Sequence, residues 1–248
     1  MLTSIELERY DRQLRLFGVE AQEKLKKSRV LVVGLGGLGS PAAMYLAAAG
    51  VGELVLVDSE RVELSNLNRQ VLYSTRDLGR LKTEVAAEKL RELNPHVSVK
   101  TVTARADERL LYELVGEADL ALDCLDNWET RLALNKASVE HRKPLIHAGV
   151  RGLWGQLLVV VPEKTPCLSC IVPKPPREEE RTPILGTTAG VMAMLQVAEA
   201  IKILTGYGKP ALGKLIVYDG YNAEFSEIPV ARSPNCPVCS PSARAKSL

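Results

Sequence analysis

A cluster of glycines at residues 34–39 constrains the fold of this chain more than any other feature. The segment before it, RVLVVG, is a short apolar run rich in β-branched residues, which predicts a buried strand. The segment after it, SPAAMYLAAAG, predicts a helix over residues 40–50 with Ser40 as its N-cap, Pro41 in its first turn and Gly50 at its end. The glycines therefore form a tight turn between a strand and a helix.

Gly34, Gly36 and Gly39 follow the spacing G-x-G-x-x-G, which in this strand–turn–helix context is typical of nucleotide-binding loops. The first glycine permits the turn, the second lets backbone approach a phosphate, and the third lets the helix pack closely on the strand. Amide N–H groups at the start of the helix then face the anion. A glycine-rich turn that only packs a helix on a sheet is the alternative interpretation. The spacing alone does not separate NAD from ATP.

Strands and helices alternate over residues 28–150, and this order predicts an α/β fold with a Rossmann-like, mostly parallel sheet flanked by helices. Helical sequence precedes it at 4–27. Residues 153–161 follow a predicted strand with no helix between, so the C-terminal half should add antiparallel strands. We expect one domain over 1–248, whose second half begins at residue 151. The predicted strands are 29–34, 53–58, 97–104, 118–124, 144–150 and 153–161, with a closing hairpin at 214–220 and 223–230; the later helices are 81–93, 107–115, 128–142 and 188–206.

The composition argues against several classes of partner. A formal net charge of +2 gives no global reason to expect binding to nucleic acid or to an anionic membrane surface. No apolar run is expected to reach the roughly 20 residues that span a membrane. The N-terminal segment MLTSIELERYDRQ is charged where a signal peptide has an apolar centre. We therefore expect a cytoplasmic protein.

A set of polar side chains follows the second predicted strand. Asp58 ends that strand about 20 residues after the glycine loop, where a carboxylate can accept hydrogen bonds from ribose hydroxyls. Arg69 suits bidentate contact with phosphate oxygens. Lys82 begins the next predicted helix, which is a poor position for a cation unless an anion is near. Taken singly, Lys82 is expected to be a solvated surface side chain. Together these cations favour a triphosphate over a hydride-transfer cofactor. The donors near the loop are Asn66, Asn68, Arg69 and Gln70.

Asp126 comes in the turn after a predicted parallel strand, at the sheet edge where ligands bind in such folds. A carboxylate there suits Mg²⁺, which prefers one or two carboxylates together with phosphate oxygens of the substrate. The alternative is an N-cap, since either Asp126 or Asn127 precedes the helix at 128–142. Both interpretations remain open from the sequence, and Asp123 is expected to belong to the strand end.

Two C-x-x-C pairs supply four thiolates, the complement of a tetrahedral structural zinc. Their separation is longer than in a compact zinc ribbon, and two redox dithiols or plain surface thiols are the alternatives. The composition and a reducing compartment favour zinc. The remaining cysteine, Cys124, lies in an apolar strand and is expected to be buried and unreactive. The paired residues are Cys167, Cys170, Cys236 and Cys239.

The chain carries a series of motifs in one order: ERYDRQ, GLGGLGSPAAMYLAAAGVGELVLVD, LSNLNRQ, LDCLDN and the two C-x-x-C pairs. From about Glu8 to Cys239 it resembles the MoeB/ThiF family of sulfur-carrier-protein adenylyltransferases, relatives of the ubiquitin-activating enzymes. The resemblance implies an enzyme that binds ATP with Mg²⁺. It also implies that the enzyme adenylates the C-terminal Gly-Gly carboxylate of a small ubiquitin-fold protein and releases pyrophosphate.

The resemblance implies roles by matching motif. Asp58 would bind the ribose, Arg69 and Lys82 the phosphates, and Asp126 the magnesium ion or the attacking carboxylate. Arg12 would reach the ATP of a neighbouring subunit, which implies a homodimer. The two cysteine pairs would share one structural zinc, and residues 151–248 would carry the carrier-binding surface. The other implied nucleotide contacts are Gly34, Gly36, Gly37, Gly39, Asn66, Asn68 and Gln70.

The segment 171–190 departs from the pattern of relatives that take up the carrier on an extra cysteine, because it contains none. We expect the reaction to stop at the acyl-adenylate, with sulfur from a separate donor. The charged run at 177–181 is expected to be solvated loop, or to order against the carrier's tail. Carriers of the molybdopterin, thiamine and tRNA-thiolation pathways are the candidate partners. The alternative functions are an NAD-dependent oxidoreductase and a non-catalytic nucleotide-binding scaffold for ubiquitin-like partners.

Overall fold

The computed structural model describes residues 1–175 and 182–240. Its strands are β1 (Arg29–Val33), β2 (Glu53–Val57), β3 (Ser98–Val102), β4 (Leu120–Asp123), β5 (Leu145–Arg151), β6 (Trp154–Val160), β7 (Lys214–Asp219) and β8 (Glu224–Pro229). They form one sheet in the order β3-β2-β1-β4-β5-β6-β7-β8. Strands β1 to β5 pair in parallel, and β6 to β8 continue the sheet in antiparallel register. The predicted fold class is confirmed.

Helices cover both faces of this sheet. They are α1 (Ser4–Arg9), α2 (Asp11–Lys27), α3 (Gly39–Ala49), α4 (Lys82–Leu93), α5 (Glu108–Glu117), α6 (Trp128–Glu140), α7 (Leu168–Ile171) and α8 (Gly186–Thr205). Alternate residues of β1 enter different cores: Val30 and Val32 pack with α3, α4 and α8, whereas Leu31 and Val33 pack with α5 and α6. A strand buried on both faces explains why the sequence there is a continuous apolar run.

The N-terminal helical region, predicted as one stretch over 4–27, is two helices. Thr3 caps α1 in a reciprocal pair of hydrogen bonds with Glu6, and α1 ends at Arg9, with Tyr10 as the cap residue between α1 and α2. Gly18 interrupts α2 with a φ of 81°, a conformation that glycine adopts at little cost. The helical character was therefore predicted correctly, but the two breaks were not.

The start of α3 differs from the prediction. Leu38 occupies the N-cap position and the helix begins at Gly39, so Ser40 lies in the first turn and its side chain is not a cap. The end of the helix is as predicted, because Gly50 adopts a left-handed conformation with a φ of 84°. The N–H of Ser40 donates to the Gly36 carbonyl at 3.0 Å, so helical hydrogen bonding already includes Ser40 and the helix starts before it.

The C-terminal half contains the predicted hairpin, formed by β7 and β8. The prediction of a long surface loop at 162–183 was wrong in part, because the segment includes the short helix α7 and the buried residues Cys167 and Leu168. This helix carries part of the cysteine cluster described below. The charged run at 177–181 and the last residues, 241–248, lie outside the described residues. The expectation that the run orders against a carrier's tail stays a prediction.

One helix among the described residues, α8, is long and apolar enough to cross a membrane by length and composition. This corrects the expectation that no apolar run approaches that length. The helix packs against β5, β6 and α3, and its buried side chains include Met192, Gln196 and Glu199. Its apolar composition is therefore explained by its position in the core of the fold.

Candidate nucleotide site and cysteine cluster

Two glycines of the loop are required by packing. Gly34 has a φ of 90°, and a Cβ there would lie 2.6 Å from the carbonyl oxygen of Cys124. A Cβ on Gly39 would lie 1.8 Å from the carbonyl oxygen of Gly34. Any side chain at either position would therefore push α3 or the turn after β4 away from the loop.

Gly36 differs from these two, because a Cβ there would meet nothing closer than Gln70 Nε2 at 3.7 Å. Packing among the described residues gives no reason for glycine at this position. A backbone that must approach a ligand closely does give one, as the G-x-G-x-x-G spacing predicts. Gly37 is intermediate, with Ala189 Cβ at 3.3 Å and Arg69 Cγ at 3.5 Å from its ideal Cβ.

Asp58 fixes the loop from the end of β2. One carboxylate oxygen accepts a hydrogen bond from the N–H of Leu35 at 2.7 Å, and the other accepts from the N–H of Glu60 at 2.8 Å. The hydroxyl of Tyr73 donates to the Leu35 carbonyl at 3.0 Å. Burial raises the pKa of Asp58. This loop-closing role was not predicted, because only the fold brings Asp58 to Leu35.

The LSNLNRQ segment lies against the loop, with Gln70 beside Gly36 and Arg69 beside Gly37. The Arg69 guanidinium donates to the Ser65 carbonyl at 2.8 Å and remains partly exposed. The other two predicted donors act as acceptors within the segment. The Asn66 side chain accepts from the N–H of Glu63 at 3.1 Å, and Asn68 Oδ1 accepts from Arg69.

Two buried polar atoms beside the loop, Ser40 Oγ and Gln70 Oε1, have no hydrogen-bond partner within residues 1–175 and 182–240. Nearly all buried polar groups in proteins are hydrogen-bonded, so an orphaned pair calls for an explanation. These two unpaired atoms are consistent with a polar ligand bound at Gly36. The geometry therefore fits a nucleotide at this loop.

Lys82 is buried, which contradicts the expectation that it is a solvated side chain. Its exposed fraction is 1%, and Nζ lies 2.5 Å from a carboxylate oxygen of Glu60. The backbone N–H of Lys82 also donates to the Glu60 carbonyl at 3.0 Å. The pairing joins the segment after β2 to the start of α4, a contact between residues 22 apart that the sequence pattern did not reveal.

Asp126 is exposed in the turn between β4 and α6. The N-cap of α6 is Asn127, whose side chain accepts a hydrogen bond from the N–H of Thr130 at 2.9 Å. The capping alternative therefore belongs to Asn127. Because the carbonyl of Cys124 abuts Gly34, the turn that carries Asp126 lies directly on the glycine loop.

Arg12 is exposed on α2 and is held away from this loop. The neighbouring Gln13 donates to the Ala49 carbonyl at 3.0 Å, at the C-terminal end of α3. The glycine loop precedes the opposite end of this 11-residue helix, about 16 Å away by helical rise. The fold thus brings Arg69, Lys82 and Asp126 to one edge of the sheet and leaves Arg12 elsewhere.

The two C-x-x-C pairs meet in one cluster. Their four Sγ atoms all lie within 4.8 Å of one another. Cys167 Sγ is 3.6 Å from Cys236 Sγ, and Cys170 Sγ is 3.4 Å from Cys239 Sγ. Four thiolates on a zinc ion at about 2.3 Å stand about 3.8 Å apart, whereas a disulfide needs about 2 Å. The donor set therefore fits a tetrahedral metal ion such as zinc.

The surroundings of the cluster support that fit. Burial raises the pKa of Cys170 to about 11, whereas burial of Cys239 is outweighed by hydrogen bonds from the neighbouring thiols, which lower its pKa. The N–H of Ser233 points at Cys170 Sγ at 3.4 Å, and that of Cys239 points at Cys236 Sγ at 3.5 Å. Such N–H donors stabilise thiolates. Cys124 lies apart from the cluster and is buried as predicted, with its pKa raised by burial.

Comparison with known proteins decides the family. The ThiF family model matches residues 10–238 of this chain. The chain belongs to the ThiF family. Sulfur carrier protein ThiS adenylyltransferase of Escherichia coli is 43% identical over 93% of this chain and 94% of its own length. Molybdopterin-synthase adenylyltransferase of Escherichia coli is also 43% identical, over 96% of this chain and 98% of its own length.

Solved structures agree with the ThiF assignment. The crystal structure of E. coli MccB with ATP superposes with a TM-score of 0.85 at 30% identity, covering 96% of this chain and 75% of MccB. The predicted family resemblance is thereby confirmed. The predicted enzyme class is confirmed as well: this ThiF-family chain is an adenylyltransferase, a nucleotidyltransferase.

Proposed function

We propose that this ThiF-family enzyme uses ATP to adenylate the C-terminal Gly-Gly carboxylate of a small ubiquitin-fold sulfur-carrier protein. The names of its relatives in the ThiS and molybdopterin-synthase systems support this class of substrate. The observation that carries the proposal is the loop edge at Gly36, which is open to a ligand and has Arg69, Gln70 and the Asp126 turn beside it.

In the proposed reaction a carboxylate oxygen of the carrier attacks the α-phosphorus of ATP. The bond from that phosphorus to the bridging oxygen breaks, pyrophosphate leaves, and the carrier retains AMP as a mixed anhydride. A carboxylate is already ionised at neutral pH, so no general base is needed. The enzyme's work is to position two anions together and to offset their charge.

The chain's residues divide this work. The loop amides and Arg69 would bind phosphate oxygens. Lys82, which is buried against Glu60, would add a further positive charge. Asp58 would bind the ribose as well as holding the loop. Asp126 would hold Mg²⁺, which supplies charge neutralisation for the phosphates when bound. Supporting contacts are assigned to Gly34, Gly37, Gly39, Asn66, Asn68 and Gln70.

Arg12 fits the proposal only through a second subunit. Its position near the C-terminal end of α3 separates it from the glycine loop of its own chain. We therefore keep the predicted homodimer, in which Arg12 reaches the phosphates of the partner's ATP. The cysteine cluster is assigned a structural zinc that ties α7 to the segment after β8. The predicted cytoplasmic location and the division at residue 151 stay predictions.

The decisive experiment is exchange of labelled pyrophosphate into ATP with a panel of carriers that end in Gly-Gly. We expect exchange that requires both the enzyme and one of these carriers. A carrier lacking its last glycine is the matched control and should support none. An oxidoreductase would change nicotinamide absorbance without exchange. A scaffold would bind carriers and nucleotide with no exchange at all, and either result would reject the proposal.

A further inference from the structure

A group of three buried polar side chains, the Asp123 cluster, lies beneath the turn that carries Asp126. It consists of Asp123, Arg131 and His147, from β4, α6 and β5, and each is at most 6% exposed. One carboxylate oxygen of Asp123 lies 2.6 Å from His147 Nδ1 and 3.2 Å from the Arg131 guanidinium. Gln156 Nε2 lies 3.2 Å from the other ring nitrogen of His147.

The charges in this cluster follow from burial and from the contacts between its members. Burial acts to raise the pKa of Asp123, but Arg131 and His147 outweigh it and hold that pKa below its ordinary value. Burial lowers the pKa of His147. The arrangement is therefore an ionised Asp123–Arg131 pair beside a neutral imidazole. The 2.6 Å contact of Nδ1 with the Asp123 carboxylate assigns the ring proton to Nδ1, which leaves Nε2 to accept from the Gln156 amide. The Arg131 guanidinium also lies 2.9 Å from Nδ1.

The Asp123 cluster is hydrogen-bonded to the backbone immediately before Asp126. The N–H of Leu125 donates to Asp123 Oδ1 at 3.1 Å, and the Arg131 guanidinium donates to the Leu125 carbonyl. Arg131 also donates to the Ala148 carbonyl at 2.7 Å, which ties the turn to β5. The N–H and the carbonyl of Leu125 are thus both hydrogen-bonded to buried charged side chains.

The same turn is fixed from the other side by the glycine loop. The N–H of Cys124 donates to the Val33 carbonyl at 3.0 Å, and its carbonyl abuts Gly34. Gln196 of α8 donates to the Asp123 carbonyl at 2.8 Å. The backbone from Asp123 to Leu125 is therefore held relative to the nucleotide loop, and Asp126 is the first exposed residue beyond it.

We infer that the Asp123 cluster positions the Asp126 carboxylate over the glycine loop, with Arg131 and His147 as positioning residues for adenylation. The inference rests on the proposed function, because it takes Asp126 to act on Mg²⁺ and substrate. A buried ion pair adds little net stability compared with apolar packing, but it fixes geometry through directed hydrogen bonds. Misplacement of a catalytic group by about 1 Å can cost on the order of a hundredfold in rate.

The test compares Arg131→Lys with Lys136→Arg, a matched exchange on the exposed face of the same helix. Lysine keeps the positive charge of Arg131 but lacks the planar fork that reaches both the Leu125 and Ala148 carbonyls. In the nucleotide-free protein, hydrogen exchange of the amides of residues 124–127 should quicken at least about tenfold in Arg131→Lys and stay unchanged in Lys136→Arg.

In the active enzyme, Arg131→Lys should lower kcat of the exchange reaction by about ten- to a hundredfold and raise the Mg²⁺ concentration for half-maximal activity, while KM for the carrier stays within about twofold. His147 gives a second pair of variants should Arg131→Lys not fold. His147→Asn retains a donor near the Nδ1 position and should keep most of the activity, whereas His147→Leu should behave like Arg131→Lys.

Unchanged amide exchange at residues 124–127, or a lowered melting temperature with kcat and the Mg²⁺ dependence intact, would overturn the inference and leave a structural role. Failure of the proposed function looks different. The wild-type enzyme would then show no carrier-dependent exchange of pyrophosphate, while the hydrogen-exchange comparison would still report whether Arg131 holds the turn.

Discussion

The glycine-loop edge and the cysteine cluster are both built from segments distant in the sequence, yet they differ in how complete they are. In the cluster, Cys167, Cys236 and Cys239 are at most 3% exposed, and four donors surround one point. At the loop edge, Asp126 is exposed and Gln70 Oε1 is buried without a partner among the described residues. A closed donor set is typical of structural metal sites, whereas catalytic sites keep positions open for substrate.

This difference separates chemistry from stability within one sheet. Substitutions of exposed side chains at the loop edge should change the reaction and leave folding intact. Substitutions in the cluster should do the reverse, because the cluster joins α7 to the segment after β8.

The largest effect is expected for Asp126→Asn. Loss of one charge from the loop edge should lower kcat/KM for adenylation by on the order of a hundred- to a thousandfold, since electrostatic stabilisation at a single position has this size. The melting temperature should stay the same, because the side chain is exposed and Asn127 still caps α6. Pyrophosphate exchange and thermal unfolding measure the two outcomes. An inactive variant that is also destabilised would break the proposed separation.

Cys239→Ser should have the opposite profile. Removal of one buried donor should release the metal ion and lower the free energy of unfolding by about 3 kcal/mol, which is about 6 to 12 °C in melting temperature for a chain of this size. ATP affinity should be affected only after the fold is lost. Metal analysis of protein prepared without chelators gives the first measurement, and chelator treatment of the wild type should reproduce the shift. Protein that contains no metal when so prepared would contradict this account.

The sequence predicted what depends on local pattern and spacing. The βα order, the glycine turn and the two C-x-x-C pairs each have a periodicity or motif that is visible without the fold. Lys82 shows the limit of this approach. Its burial depends on pairing with Glu60, and a pairing between distant segments leaves no trace in helical or strand periodicity.

The Asp123 cluster was missed for a related reason. Asp123 looked like an ordinary strand end, and His147 lies in an apolar strand where a hydrogen-bonded core residue is the usual interpretation. One signal was present, since Asp123 ends one predicted parallel strand and His147 lies within the next predicted strand along the chain, where the two can be neighbours in the sheet. Their contact with Arg131 required the orientation of α6, which only packing determines.

Two glycine substitutions should separate the packing and ligand roles within the loop itself. Gly34→Ala should lower the free energy of unfolding by about 2 kcal/mol or more, because its φ of 90° is strained for alanine and its Cβ would meet Cys124. Gly36→Ala should leave stability within about 0.5 kcal/mol and weaken ATP binding by about tenfold. Calorimetry with ATP and thermal unfolding give both values. Equal effects of the two substitutions on ATP affinity would indicate that the loop only packs a helix.

The smallest effect is expected from the titration of Asp58. Burial raises the pKa of this carboxyl, so in the free protein it takes up a proton at a higher pH than an ordinary aspartate does. Ribose hydroxyls donate to the ionised form, and binding should therefore favour that form. ATP affinity should be complete above the raised pKa and should fall a few-fold as the pH drops through it. ATP has its own protonation in this range, so the measurement is the difference between the wild type and Asp58→Asn, which should lack this part of the pH dependence. A pH profile identical in the two proteins would place the ribose away from Asp58 and leave that residue with the structural work of holding Leu35.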